Sequence, residues 1–279
     1  MEERYLAAAN LEQFRRYLCA EEKSPSTIEK YMRDAKRFAS FVARKSVIKE
    51  LVVAYKQTLI EQGYALRSIN SMIISVNCLL RFLKWNDCVV KTLRLQRQIY
   101  TPEEKELSKC EYLRLLDASK DNTQLNYIIQ TICGTGIRVS ELKYFTVESI
   151  RRGEVIVNCK NKTRIIIIPG KLRKRLLDYA KKHNIKCGMI FVTKFGNPVD
   201  RSNIWAKMKR LCKLAHVNPS KVFPHNLRKL FAKTFYKIEK DIAKLADILG
   251  HSSIETTRIY IMTSGYEHRR KINRLGLVV

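Results

Sequence analysis

Apolar positions in the first hundred residues recur at helical spacing. Leu11, Phe14, Tyr17 and Leu18 fall at i, i+3, i+6 and i+7 and predict one apolar helix face. Ser24-Pro25-Ser26-Thr27-Ile28-Glu29 reads as a helix start, with capping-box spacing from Ser26 to Glu29. The helix it opens turns Ile28, Tyr31, Ala35, Phe38 and Val42 inward and Lys30, Arg33, Lys36, Arg37 and Arg44 outward. A third helix is expected from about 50 to 62, stopping at Gly63. A fourth, from about 66 to 85, is apolar enough at Ile69, Ile73, Val76, Leu80 and Leu83 to be central. Such a set of four makes a small bundle.

The pattern fails from about 86 to 106, and Tyr100-Thr101-Pro102-Glu103-Glu104-Lys105-Glu106 reads as a linker. A new helix is expected at Ser108, with Glu111 as its capping partner, and another around 122–132, ending at Gly134-Thr135-Gly136. Glu154-Val155-Ile156-Val157 and the run from Arg164 to Pro169 then flank Cys159-Lys160-Asn161-Lys162-Thr163 as a hairpin. After Gly170 the chain is again helical. The expected fold is therefore mainly α: a four-helix N-terminal domain, then a mixed, mostly helical domain with a small β-hairpin.

Composition changes the picture through charge. The 279 residues carry 54 Lys and Arg against 26 Asp and Glu, a net of +28, while 46% hydrophobic content supplies real cores. An excess this large repels itself and makes sense beside a polyanion, nucleic acid first. Residues 1–100 hold 18 basic and 10 acidic side chains and the remainder 36 and 16, so both parts suit that partner. Two late helices add basic faces, one with Lys171, Arg173 and Lys174 opposite Leu172, Leu176 and Tyr179, the other with Lys207, Lys209 and Arg210 opposite Ile204, Met208 and Leu211. Together they point to phosphate contact.

The eight cysteines, at 19, 78, 88, 110, 133, 159, 187 and 212, form no CxxC pair. They read as reduced packing residues of a cytoplasmic protein. The start lacks a hydrophobic signal core, and no apolar stretch is long enough for a bilayer, so no membrane partner is expected.

Neither a cofactor nor a metal is expected. Gly134-Thr135-Gly136 is not GxGxxG, no Gly-rich loop leads into GKS or GKT, and neither DxD nor HExxH occurs. Cys212 and His216 stand at i,i+4 without a second ligand pair. Cations and one tyrosine remain. Alone, Arg138 would be an ion-pair partner for Glu141, the His225 and Arg228 pair would be a weak signal, and Tyr260 would be core. His251 follows Leu249-Gly250, ahead of a helix that Ser252 and Glu255 open at capping-box spacing.

The order Gly-x-Arg-x-x-Glu, hairpin lysine, Pro-His-x-Leu-Arg, Leu-Gly-His-Ser and a tyrosine nine residues on resembles the tyrosine recombinase (phage integrase) family, particularly its compact Xer-like members. The resemblance spans essentially the whole chain. It implies a DNA-clamping core-binding domain over 1–88, a linker over 89–106 and a catalytic domain with a C-terminal tail over 107–279. It implies that Arg138 and Arg228 hold the scissile phosphate, Lys162 protonates the leaving 5′ oxygen with Lys160 its rival in register, and His225 assists proton transfer at the tyrosine. His251 then hydrogen-bonds the phosphate, Glu141 braces the site and Tyr260 is the nucleophile.

The activity implied is site-specific recombination of double-stranded DNA through a 3′-phosphotyrosine and a Holliday junction, by a homotetramer or with a related recombinase. Type IB topoisomerase-like relaxation and a non-catalytic DNA-binding relative are the alternatives. Lys229 stands where many relatives carry a second histidine, and Tyr236 to Asp241 lacks a glycine often present there. The tail, with Tyr266, His268 and the apolar end from Leu275 to Val279, is expected to pack on a neighbouring protomer rather than in cis.

Overall fold

The computed structural model describes residues 4–43, 45–95, 104, 106–159, 162–262, 269–270 and 272–275, without the side chains of Cys159 and Lys162. It divides into two compact units, residues 1–97 and 98–279, each with its own core.

In the first unit, α1 (Ala8–Ala20), α2 (Pro25–Val42), α3 (Lys49–Glu61) and α4 (Leu66–Phe82) surround Phe14, Leu18, Phe38, Val52, Leu59, Ile73 and Leu80. Helix α4 packs on the other three, as its apolar length implies. Two of its asparagines hold the chain that returns over it. Asn77 exchanges hydrogen bonds with both backbone groups of Val90, and Asn70 does the same with Leu93.

Two expectations are corrected here. The α2 cap is Ser24, whose hydroxyl accepts from the Thr27 amide; Pro25 then takes N1, where its missing N–H costs nothing, so Ser26 lies inside the helix. Lys30 is only partly open to water, with 30% of its side chain exposed. It reaches the buried Asp34 at 2.7 Å and Ser75 at 2.8 Å, because a carboxylate placed in the core requires a cation.

The second unit starts with α5 (Lys109–Ala118), whose capping box between Ser108 and Glu111 is formed as expected. Helix α6 (Thr123–Thr135) ends at Gly136, with φ +67°, and a 3₁₀ segment spans Val139–Tyr144. After α7 (Val147–Arg152), β1 (Glu154–Cys159) and β2 (Lys162–Ile167) form an antiparallel hairpin that pairs Cys159 with Lys162. The strands thus run further than their apolar residues suggested, since backbone pairing continues through polar Asn158 and Thr163. Val155, Val157, Ile166 and Ile168 face the core, while Ile156, Ile165 and Ile167 are exposed.

Then come α8 (Gly170–Lys182), α9 (Arg201–Leu214), α10 (Pro224–Glu239), α11 (Ile242–Leu249) and α12 (Ile254–Ile261). The cap of α12 is Ser253 rather than Ser252; its hydroxyl accepts from the Glu255 amide. The cysteines also depart from the expectation of packing residues. Cys88 and Cys212 are buried and Cys78 and Cys133 half-buried, but Cys19, Cys110 and Cys187 are exposed. Among the described residues no helix is long and apolar enough to cross a membrane.

Candidate active site

Helix α10 sits at the centre of the second unit's polar cluster, packed on α6, α11 and α12. It opens with Pro224 at its first turn, and the i,i+3 spacing puts His225 and Arg228 on one face. Arg228 is 2% exposed, an unusual place for a guanidinium. Its Nη1 donates to the Gly136 carbonyl at 2.5 Å and its Nη2 to the Leu249 carbonyl at 2.6 Å. Both acceptors are freed by helix ends, at α6 and at α11, each closed by a glycine with positive φ. The same Nη2 lies 2.9 Å from His251 Nε2. Arg228 Nε, although buried, has no hydrogen-bond partner among the described residues.

His251 must accept from Arg228, because a guanidinium only donates. Its proton therefore sits on Nδ1, which donates to Thr257 Oγ1 at 2.8 Å. Burial, reinforced by Arg228, Arg138 and Arg164, pushes His251 down to about 4, so it is neutral at neutral pH. Burial first, then Arg228, Lys229 and Arg138, also pushes His225 below its ordinary range. Arg228, drawn down to about 10 by burial, stays cationic.

Tyr260, on α12, is buried against both histidines, its ring centroid 5.0 Å from each. Its hydroxyl is 3.4 Å from His225 Nδ1, and the Arg228 guanidinium carbon is 5.9 Å from its ring centre.

Arg138 comes from the turn after α6 and is the more open of the two arginines, with 41% of its side chain exposed. Glu141, wholly buried, accepts from the Arg138 backbone N–H at 2.7 Å and from its Nη1 at 3.1 Å. Arg138 Nη2 donates to the Gly250 carbonyl at 3.2 Å. A second arginine, Arg164 on β2, meets the same carboxylate at 2.5 Å.

The structure thus brings Arg138, Glu141, His225, Arg228, His251 and Tyr260 into one hydrogen-bonded or ring-contact network. Lys162 opens β2, but its side chain, like the whole of Lys160, lies outside the described residues, as do Tyr266, His268 and residues 276–279. The remaining basic candidates stand elsewhere. Lys171, Arg173 and Lys174 are on α8, which packs on α6 and α7, and Lys207, Lys209 and Arg210 are on α9, against α5 and α6. Two of these are engaged: Arg173 donates to the Ile150 and Arg151 carbonyls, and Lys209 to that of Pro219. Lys229 pairs with Glu106 at 2.7 Å.

Arg164 and Thr257 were not singled out from sequence. Arg164 did carry a signal: it falls on the inward register of β2 with Ile166 and Ile168, where a charge demands a partner. Thr257 carried none. Among the described residues no group of His, Cys, Asp or Glu could hold a metal ion.

Residues 105–265 match the phage integrase family, and residues 11–87 match the phage integrase N-terminal SAM-like domain. The tyrosine recombinase XerA of Pyrococcus furiosus is 28% identical over 291 aligned residues, covering 100% of this chain and 98% of that protein. The tyrosine recombinase XerD of Halalkalibacterium halodurans is 27% identical, over 90% and 92% of the two chains. A crystal structure of XerA recombinase superposes with a TM-score of 0.55 at 25% identity, covering 97% and 99%. A lambda integrase dimer bound to a COC′ core site shares the fold, with a TM-score of 0.75 at 17% identity and coverage of 94% and 96%.

Proposed function

The chain belongs to the phage integrase family, and on that premise we propose that it is a tyrosine recombinase that cuts and rejoins double-stranded DNA at specific sites. The observation that carries this is the placement of Tyr260 Oη 3.4 Å from His225 Nδ1 and of its ring beside a buried arginine.

In the proposed step the Tyr260 oxygen attacks the scissile phosphorus as its proton passes to His225 Nδ1. Negative charge builds on the non-bridging oxygens, where arginine forks answer it in fixed geometry. Arg228 has a buried Nε–H to offer, and Arg138 has a partly exposed side chain. His251, expected from sequence to hydrogen-bond the phosphate, has both ring nitrogens engaged by Arg228 and Thr257, and its part is instead to hold the Arg228 fork in register. The P–O5′ bond breaks, and the leaving oxygen takes a proton from Lys162. The product is a 3′-phosphotyrosine with a free 5′-hydroxyl. It keeps the energy of the phosphodiester, so a 5′-hydroxyl can reverse the step without ATP.

Attack by the 5′-hydroxyl of a second duplex gives a Holliday junction, and a second pair of exchanges resolves it. That sequence needs four active sites around two duplexes, hence a tetramer. The N-terminal unit, with the C-terminal one, grips the duplex, for which the +28 charge is suited. Solved structures of relatives support this assembly: lambda integrase has been seen as a tetramer on a Holliday junction, and XerH bound to its difH substrate.

The test starts from genomic fragments that the protein retains covalently. Two labelled duplexes carrying one such trapped sequence are mixed with the protein. Recombinant joints between them are expected; relaxation of supercoils with no joint would make the protein a topoisomerase instead.

A further inference from the structure

Arg164, on β2, joins pieces that build the proposed phosphate cradle. Its Nη2 donates to Glu141 at 2.5 Å, and its Nη1 donates to the Ile248 carbonyl at 2.7 Å. Its stem runs so close under Gly250 that a β-carbon there would lie 2.7 Å from Cδ. Strand β2 and α11 are packed together at this point. Only 12% of the side chain is exposed.

The charge count around Glu141 gives this contact a consequence. A buried carboxylate facing a single arginine makes a neutral pair, and the cation in such a pair has little field left for a third group. Glu141 is fully buried and faces two arginines, Arg138 and Arg164. The trio carries one net positive charge. Arg138 is its exposed member, so the surplus is presented at the open edge.

We propose that Arg164 is a positioning residue for strand cleavage: by sharing Glu141 it leaves Arg138 a net charge for the scissile phosphate, and it pins the 248–250 turn ahead of His251. The proposal rests on the recombinase reading and adds to it, since the motif set gives Arg164 no role.

The experiment measures single-turnover strand cleavage on two nicked suicide duplexes, identical except that the scissile linkage is a phosphodiester or an uncharged methylphosphonate. Arg164→Met is expected to slow cleavage by about 100-fold on the phosphodiester, the scale of losing one electrostatic stabiliser. On the methylphosphonate, which has less charge to stabilise, the loss shrinks to less than about 10-fold. Arg164→Lys, which keeps the charge, stays within about 10-fold of the unaltered protein on both. Arg164→Gln replaces the methionine variant if thermal melts show that variant unfolded.

Equal losses on the two linkages, or equal losses for the lysine and glutamine variants on the phosphodiester, would overturn the proposal. Failure of the unaltered protein to cleave the phosphodiester would instead overturn the recombinase reading.

Discussion

The hydroxyl of Tyr260 lies 3.4 Å from Nδ1 of His225, and that histidine is held below its ordinary range by burial and by Arg228, Lys229 and Arg138. A histidine whose pKa is lowered stays neutral, and able to accept a proton, further into acid. The cleavage rate should therefore fall with decreasing pH only below about 6.5, the ordinary imidazole value. His225→Gln should lose about 100-fold or more and should lose that acid limb. Single-turnover cleavage between pH 5 and 8 measures both; a half-maximal point above 6.5 would contradict the assignment.

His251 makes a prediction about stability rather than rate. Its folded value is about 4, against about 6.5 in an unfolded chain. Between those values the unfolded state binds more protons, so stability is full above about 6.5 and is lost as the pH falls toward 4. The melting temperature should drop by a few degrees from pH 7 to pH 5. In His251→Asn the drop should be smaller, which thermal melts at the two pH values will show.

Gly250 is constrained twice, by φ +62° and by the Arg164 stem beneath it. A methyl group there is strained by backbone and by contact together. Gly250→Ala should cost about 2 kcal/mol or more in urea unfolding. It should also slow cleavage, because Arg164 and the Gly250 carbonyl bound to Arg138 must both shift.

The basic helices separate into two kinds of residue. Lys174 is exposed, so Lys174→Ala should lower the slope of log K against log salt by about 0.9 without changing the melting temperature. Arg173 holds two carbonyls at the end of α7, so Arg173→Ala should cost about 1 kcal/mol of stability as well. Salt-titrated DNA binding and thermal melts on the same proteins distinguish the two.

Much of this was legible in the sequence because periodic burial is a local signal. Phe14 and Leu18, Phe38 and Val42, and Leu172 and Leu176 all face cores as their spacing implies. Caps were less legible, since neighbouring serines compete: Ser24 with Ser26, and Ser252 with Ser253. Backbone geometry, not residue type, decides between them. The candidate site was legible as motifs, but the wiring among them was not. Arg228 binds carbonyls of Gly136 and Leu249, and every residue has a carbonyl. Which ones converge depends on how α6 and α11 end in space. Arg164 and Thr257 belong to that wiring, and only the inward register of Arg164 hinted at its place.

The most direct test is covalent trapping followed by peptide mapping. A nicked suicide duplex carrying a trapped genomic sequence is incubated with the protein, denatured in SDS and digested. The expected result is a DNA-linked peptide attached through Tyr260, with no adduct formed by Tyr260→Phe. An adduct that persists in Tyr260→Phe, a linkage at another residue such as Tyr266, or no adduct from any genomic fragment would contradict the assignment of Tyr260 as the nucleophile.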